Sequence, residues 1–134
     1  MPKKEFSYRG KSLEQLQALS LQDFAKLTVS RVRRSLLRGL DKPLDKAVNI
    51  AVKDLLAGKK PKTVRTHKRD TIITPKMAGL QFAIYKGNGF EFVDIKPEMV
   101  GHFLGEFAQT RKAVRHGKAG IGATKSSTAI ATRK

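Results

Sequence analysis

The chain has 134 residues and carries 28 Lys or Arg against 11 Asp or Glu, a formal net charge of +17. Such charge on a short chain predicts a polyanionic partner, either nucleic acid or an anionic membrane surface. Cysteine is absent, which excludes disulfides, thiolate metal sites and a cysteine nucleophile. No apolar run is long enough to cross a bilayer, and the first residues do not form a secretory signal. We therefore expect a cytoplasmic protein.

Four helices are predicted after a polar, basic tail over residues 1–11. Each begins beside a residue typical of helix N-termini and carries apolar residues at helical spacing. The starting positions are Ser12 (with Gln15 as a capping box), Ser20, Ser30, and Asp41 with Pro43. Gly39 and Gly58 are placed to end the third and fourth helices. Residues 12–58 are thus predicted to be a helical N-terminal region.

Strands are predicted in residues 59–110. Apolar and other residues alternate over 80–85, a second apolar run covers 90–95, and Asn88 lies between two glycines in the intervening turn. This pattern predicts a β-hairpin. Residues 71–73 are expected to supply a third, shorter strand, and Pro97 to begin a short helical segment that extends through Leu104.

The last segment, residues 111–134, has seven Lys or Arg, three Gly and no acidic residue. It has too few large apolar side chains to offset the entropy lost on ordering. We expect a disordered basic C-terminal tail that orders only against a partner.

The placement of charge favours RNA over a membrane or DNA. The most apolar helix, over residues 44–55, mixes Asp45 and Asp54 with lysines on its polar face, unlike a membrane-binding helix. Basic residues are instead concentrated in loops and the tail, which suits phosphate contacts. No helix-turn-helix or zinc-finger pattern is present to read DNA. The aromatic residues do not discriminate: Phe82, Tyr85, Phe90 and Phe92 are typical of a hairpin core more often than of base stacking.

Catalysis and metal binding are not expected. His102 and Glu106 are spaced to share a helical face, but glycines interrupt the segment and no nucleophile accompanies the pair. Three scattered His without Cys do not form a metal site. Gly117 and Gly122 have the glycine spacing of a phosphate-binding loop without its Lys. We therefore predict no catalytic residue, no metal and no cofactor.

Three segments of the sequence carry a resemblance to a known family. They are Thr-His-Lys-Arg-Asp at 66–70, Met-Val-Gly-His-Phe-Leu-Gly-Glu-Phe at 99–107, and Gly-Ile-Gly-Ala-Thr-Lys-Ser-Ser at 120–127. Together they resemble the small-subunit ribosomal protein S19 family, in its archaeal and eukaryotic branch. The resemblance covers roughly residues 30–134.

The resemblance implies an α+β domain with a small antiparallel sheet in the head of the small ribosomal subunit. There it would bind the 3′ domain of the ribosomal RNA beside neighbouring head proteins, with its C-terminal tail directed toward the tRNA sites. The alternative function is a general basic RNA-binding or RNA-chaperone module, or a chromatin-type protein.

The predicted RNA-binding residues lie in three basic blocks. They are Arg34, Arg38, Lys62, Arg65, His67, Lys68, Arg69, Lys76, His102, Arg111, Lys112, Arg115, His116, Lys118 and Lys125. The block over 62–76 is expected to be the main RNA-facing surface, because strand ends and turns present long side chains without burying them. Glu106 is assigned to structure, since a carboxylate facing RNA would repel phosphate.

Overall fold

The computed structural model of the chain describes residues 6–39 and 41–114. Four α-helices precede a small three-stranded sheet, so the predicted α+β class is confirmed. The elements are α1 (Leu13–Ala18), α2 (Leu21–Leu27), α3 (Ser30–Arg38), α4 (Lys42–Leu56), β1 (Val64–Thr66), β2 (Gln81–Tyr85) and β3 (Phe90–Asp94). Short 3-10 helices lie at Pro75–Met77, Pro97–Met99 and Leu104–Phe107. Within the described ranges, no helix has the length and apolar character needed to span a membrane.

Three helices begin at the predicted N-terminal residues, which are Ser12, Ser20 and Asp41, and the first two of these make side-chain capping hydrogen bonds. Ser12 Oγ accepts a hydrogen bond from the Gln15 N–H at 3.5 Å, and Gln15 Oε1 accepts one from the Ser12 N–H at 3.2 Å. Ser20 Oγ accepts from the Asp23 N–H at 3.2 Å. At α3, Ser30 is the first helical residue rather than the cap. The first two helices are therefore set by local side-chain bonds, whereas α3 depends on packing.

The sheet has the strand order β1-β2-β3 and is mixed. β2 and β3 form the predicted antiparallel hairpin, with Tyr85 opposite Phe90. In the turn Gly87 has a φ of +104°, a conformation that favours glycine. β1 pairs with β2 in parallel, with Val64 opposite Phe82. The expectation of a wholly antiparallel sheet therefore applies only to the hairpin.

The third strand is formed by Val64–Thr66, not by residues 71–73 as the sequence suggested. Residues 71–73 are extended but make an isolated bridge, Ile72 with Phe103. The Ile73 N–H donates to the His102 carbonyl at 2.8 Å, and the Leu104 N–H donates to the Thr71 carbonyl at 2.9 Å. Because residues 101–104 satisfy this backbone, it does not join the sheet.

Two apolar clusters meet at this segment. One packs α4 against the sheet and includes Leu44, Val48, Phe82 and Ile84. The other joins α1, α2 and α3 and includes Leu16, Phe24, Val32 and Leu36. Ile72 is buried in the second cluster and its neighbour Ile73 in the first. Side chains of an extended chain alternate in direction, so the two isoleucines connect the clusters.

Candidate nucleic-acid interface

A wide groove lies beside α3, and we call it the arginine groove. Arg31, Arg34 and Arg38 recur at three- and four-residue spacing, which places them on one face of the helix. Residues 68–72 and part of the 103–106 segment form the opposite wall. The groove has a volume of about 1220 Å³.

Positive charge predominates in the arginine groove. Five basic and three acidic side chains line it: Arg31, Arg34, Arg38, Lys68 and Arg69, and Asp41, Asp70 and Glu106. A cluster of cations on two facing walls attracts a polyanion that can lie between them. The arrangement therefore suits the phosphate backbone of a nucleic acid.

Exposure and bonding divide the arginines of α3 into different roles. The Arg31 guanidinium lies 5.3 Å from the centroid of the Phe103 ring, a cation–π contact that joins α3 to the opposite wall. Arg34 and Arg38 are exposed. Across residues 6–39 and 41–114, neither side chain makes a hydrogen bond or an ion pair. Arg34 and Arg38 are thus the arginines of α3 best placed for phosphate.

Arg33 faces away from the groove and stabilises α2. Its guanidinium donates to the carbonyl oxygens of Ala25, Lys26 and Thr28, each at 3.2 Å. These carbonyls lie at the C-terminal end of α2, where helix carbonyls lack partners within the helix. Arg33 therefore ties α2 to α3, although the sequence places it in the same basic block as Arg34.

Arg69 also bonds to the protein backbone. Its guanidinium donates to the carbonyls of Tyr85 at 2.7 Å, Gly105 at 2.8 Å and Ala108 at 2.6 Å. The side chain is half-buried and joins the hairpin to the segment after Phe103. This placement assigns Arg69 to the fold, and its predicted RNA contact stays a prediction. The adjacent Lys68 is exposed in the groove.

Glu106 lines the groove and is held by contacts within the protein. His102 Nδ1 lies 2.7 Å from Glu106 Oε2, and the Phe103 N–H donates to Oε1 at 3.2 Å. Burial alone would raise the pKa of Glu106 above its usual value. The bonds from His102 and Phe103, with the charges of His102 and Arg31, outweigh burial and lower the pKa below its usual value. Glu106 thus bonds within the protein, as its assignment to structure predicts.

The outer face of the sheet holds two more of the predicted RNA-binding residues. The His67 ring lies 4.6 Å from Tyr85 and 5.1 Å from Phe90, measured between ring centroids. The Arg65 guanidinium lies 4.5 Å from the Phe90 centroid. Both Arg65 and His67 are exposed. They form a surface separate from the arginine groove.

The remaining predicted RNA-binding residues that the structure describes belong neither to the arginine groove nor to the outer face of the sheet. Lys62, Lys76, Arg111 and Lys112 are exposed at separate positions outside the groove lining, and His102 bonds to Glu106. Arg115, His116, Lys118 and Lys125 lie outside the described residues. The expected disordered tail likewise falls mostly there.

Arg31 lines the arginine groove but is not among the predicted RNA-binding residues. The signal was available, because residues 31, 34 and 38 share a helical face and only their spacing is needed to see it. The opposite wall had no such signal, since its place depends on the pairing of residues 71–73 with 101–104. In the part of the chain that the structure describes, no three His, Asp or Glu side chains are grouped as metal ligands would be.

Comparison with known proteins gives a consistent family assignment. The family model described as Ribosomal protein S19 matches residues 34–116. The small ribosomal subunit protein uS19 from each of two strains of the archaeon Halobacterium salinarum is 47% identical over 123 residues, which cover 92% of this chain and 88% of the relative. The archaeal source agrees with the branch that the motifs indicate. The chain therefore belongs to the ribosomal protein S19 family.

Proposed function

We propose that this chain is a structural constituent of the small ribosomal subunit that binds the 3′ domain of the subunit's RNA in its head. Family membership supports the particle, because the curated relatives are named small ribosomal subunit proteins. The observation that carries RNA binding is the pair of exposed arginines, Arg34 and Arg38, across the groove from Lys68.

The arginine groove acts by holding the RNA backbone between two walls. Arg34 and Arg38 lie about one helical turn apart, roughly 6 Å along the axis of α3. Guanidinium groups bind phosphate through two parallel hydrogen bonds, so both can hold one strand against the helix. Lys68 adds a third cation from the facing wall. These contacts fix position without reading the base sequence.

The rigidity of the walls supports this role. The Arg31–Phe103 contact connects the two walls, and the three Arg69 hydrogen bonds hold the opposite wall to the hairpin and to the segment after Phe103. A groove already held open loses less entropy when RNA binds. Structural arginines and phosphate-binding arginines therefore work together in one site.

The same family membership supports the wider setting that we propose. The chain sits on the ribosome in the cytoplasm, contacts neighbouring head proteins, and sends its basic C-terminal tail toward bound tRNA. Its role is structural and uses no catalytic residue, metal or cofactor.

Sedimentation distinguishes this function from that of a general RNA chaperone. The chain is expressed with an affinity tag in an archaeal host, and ribosomal subunits are separated on a gradient before and after a moderate salt wash. We expect the chain in the small-subunit fraction after the wash, because many phosphate contacts form together in an assembled particle. Release by the wash, together with equal affinity for unrelated RNA, would indicate the chaperone-type module instead.

A further inference from the structure

The outer face of the sheet presents an ordered set of side chains. Val64, Phe82 and Ile84 face the core, so the alternate residues of each strand lie on the opposite face. Strand register arranges these residues in three rows across the sheet, with Thr63 and His67 placed by extending the β1 register one residue beyond each end. The rows are Thr63, Gln81 and Asp94; Arg65, Ala83 and Phe92; and His67, Tyr85 and Phe90.

Phe92, in the middle row, is unlike the other aromatic residues of the hairpin. Its side chain is 64% exposed, whereas Phe82 is completely buried. His67, Tyr85 and Phe90 pack on one another with centroids 4.6 to 5.4 Å apart. No aromatic ring packs on Phe92 among the residues that the structure describes. A flat apolar ring is therefore available to a partner at this point.

Arg65 holds a positive charge on the same face, against Phe90 in the row next to that of Phe92. Arg65 is on β1 and Phe90 is on β3, so the guanidinium that reaches Phe90 crosses β2 above Ala83. Ala83, the residue between Arg65 and Phe92 in the row, is completely buried. Cation–π contact with Phe90 holds the guanidinium in place, and Arg65 is exposed to solvent.

The carboxylates near this face already have partners. Asp94 Oδ1 accepts from Gln81 Nε2 at 3.0 Å, and Glu91 Oε2 lies 3.3 Å from Lys86 Nζ. Arg65 has no carboxylate partner in the described chain. Gln81 is neutral, so Asp94 stays an acidic residue of this face, but it lies in the row on the opposite side of Phe92 from Phe90, which Arg65 contacts. The face thus combines an exposed ring with a cation that has no carboxylate partner among the described residues. A nucleotide complements both, since its base is flat and its phosphate is anionic.

We propose that Phe92 stacks on one unpaired base of the bound RNA while Arg65 contacts the phosphate beside it. This inference rests on the proposed RNA-binding function and adds a second surface to the arginine groove. Stacking tolerates any base, so the site takes a nucleotide from a loop or bulge without sequence preference. The sequence pattern is typical of a core position for Phe92, whereas the structure places this residue on the surface.

Tryptophan fluorescence tests the stacking directly, because the chain contains no Trp. Phe92→Trp places a single fluorophore on the face, and the probe is a transcript of the 3′ domain of small-subunit RNA. We expect its emission to be quenched as the RNA binds. Leu56→Trp is the matched control, since Leu56 is 82% exposed at the end of α4 and away from this face. Its emission should stay constant in the same titration.

Affinity provides a second, independent readout. Phe92→Ala should weaken binding of that transcript at least about fivefold, while Phe92→Tyr should retain wild-type affinity and both variants should unfold like wild type. Normal RNA binding with no quenching in Phe92→Trp and no loss in Phe92→Ala overturns the stacking proposal and leaves the proposed function intact. Quenching that requires the assembled subunit and not the transcript assigns this face to a protein neighbour and also overturns it. If the wild-type chain does not bind the transcript, both proposals fail.

Discussion

Arg69 and Gly105 are joined by two hydrogen bonds that run in opposite directions. The Arg69 guanidinium donates to the Gly105 carbonyl at 2.8 Å, and the Gly105 N–H donates to the Arg69 carbonyl at 2.8 Å. A Cβ on Gly105 would lie 2.9 Å from that same Arg69 carbonyl oxygen. This contact joins the two parts of the groove wall that faces α3, which are residues 68–72 and the segment that contains the family motif at 99–107.

Gly105→Ala should therefore destabilise the fold. The added methyl group meets backbone that cannot rotate away, and relief requires separation of the two segments. We expect a loss of about 1–3 kcal/mol in the free energy of unfolding, measured by denaturant titration. Gly89→Ala is the matched control, because a Cβ there meets no atom within 4 Å. Equal stabilities for the two variants would contradict the close approach.

Arg69 and Lys68 are adjacent basic residues, but substitution of Arg69 should lower stability whereas substitution of Lys68 should lower RNA affinity. Arg69→Gln removes three hydrogen bonds to backbone carbonyls and should cost about 2 kcal/mol of stability or more. Lys68→Gln removes an exposed cation of the groove and should weaken RNA binding with little change in unfolding. Thermal unfolding and filter binding on both proteins make the comparison. If Arg69→Gln unfolds like wild type and only RNA affinity falls, Arg69 is an RNA contact and not a structural residue.

The Glu106 carboxylate should make stability depend on pH. Its pKa is lowered in the folded protein, so the unfolded chain binds the proton more readily. The bonds to His102 and Phe103 then stabilise the fold above the ordinary carboxyl range, and this stability is lost as the pH falls through the lowered pKa.

Glu106→Gln should consequently be less stable than wild type near neutral pH, with the difference shrinking in acid. Unfolding of both proteins is measured from about pH 3 to about pH 7. Glu98→Gln is the matched control, because it removes a charge from the neighbouring turn without removing a side-chain hydrogen bond of the described residues, and its stability at neutral pH should stay near that of wild type. A difference that grows as the pH falls would show that the sign is wrong.

A chain truncated after Arg115 should fold and enter small subunits. The described fold packs its two apolar clusters from residues before that point. The missing basic tail should instead weaken tRNA retention by the assembled particles. Gradient sedimentation scores assembly, and filter binding on the same particles scores tRNA. Failure of the truncated chain to assemble would make the tail an assembly anchor.

The sequence was informative where the signal is local. Ser12, Ser20 and Gly39 define helix ends through their own backbone and side-chain preferences, and the hairpin follows from alternation around the turn. The pairing of β1 could not be predicted in this way. A three-residue strand that joins a sheet in parallel depends on tertiary contact, because α4 packs against the sheet and residues 67–80 form the crossover from β1 to β2.

The candidate site was also predictable only where the signal is local. Composition and charge indicate a polyanion, but not which basic residues are free to meet it. Arg33 and Arg34 are neighbours of identical chemistry, and only tertiary contact shows that Arg33 bonds to the end of α2. The three carbonyls that Arg69 binds come from the hairpin and from the segment after Phe103, so no spacing in the sequence predicts these contacts.

The salt dependence of RNA binding tests the arginine groove most directly. With six to eight phosphate contacts, the logarithm of the affinity should fall with the logarithm of salt concentration with a slope of roughly −4 to −7. Arg34→Gln with Arg38→Gln should make this slope shallower by about 1.5 to 2 and weaken binding at low salt. Lys46→Gln with Lys53→Gln removes the same charge from the exposed side of α4 and should leave the slope near the wild-type value. Equal slopes for the two double variants would contradict the assignment of phosphate contacts to the groove.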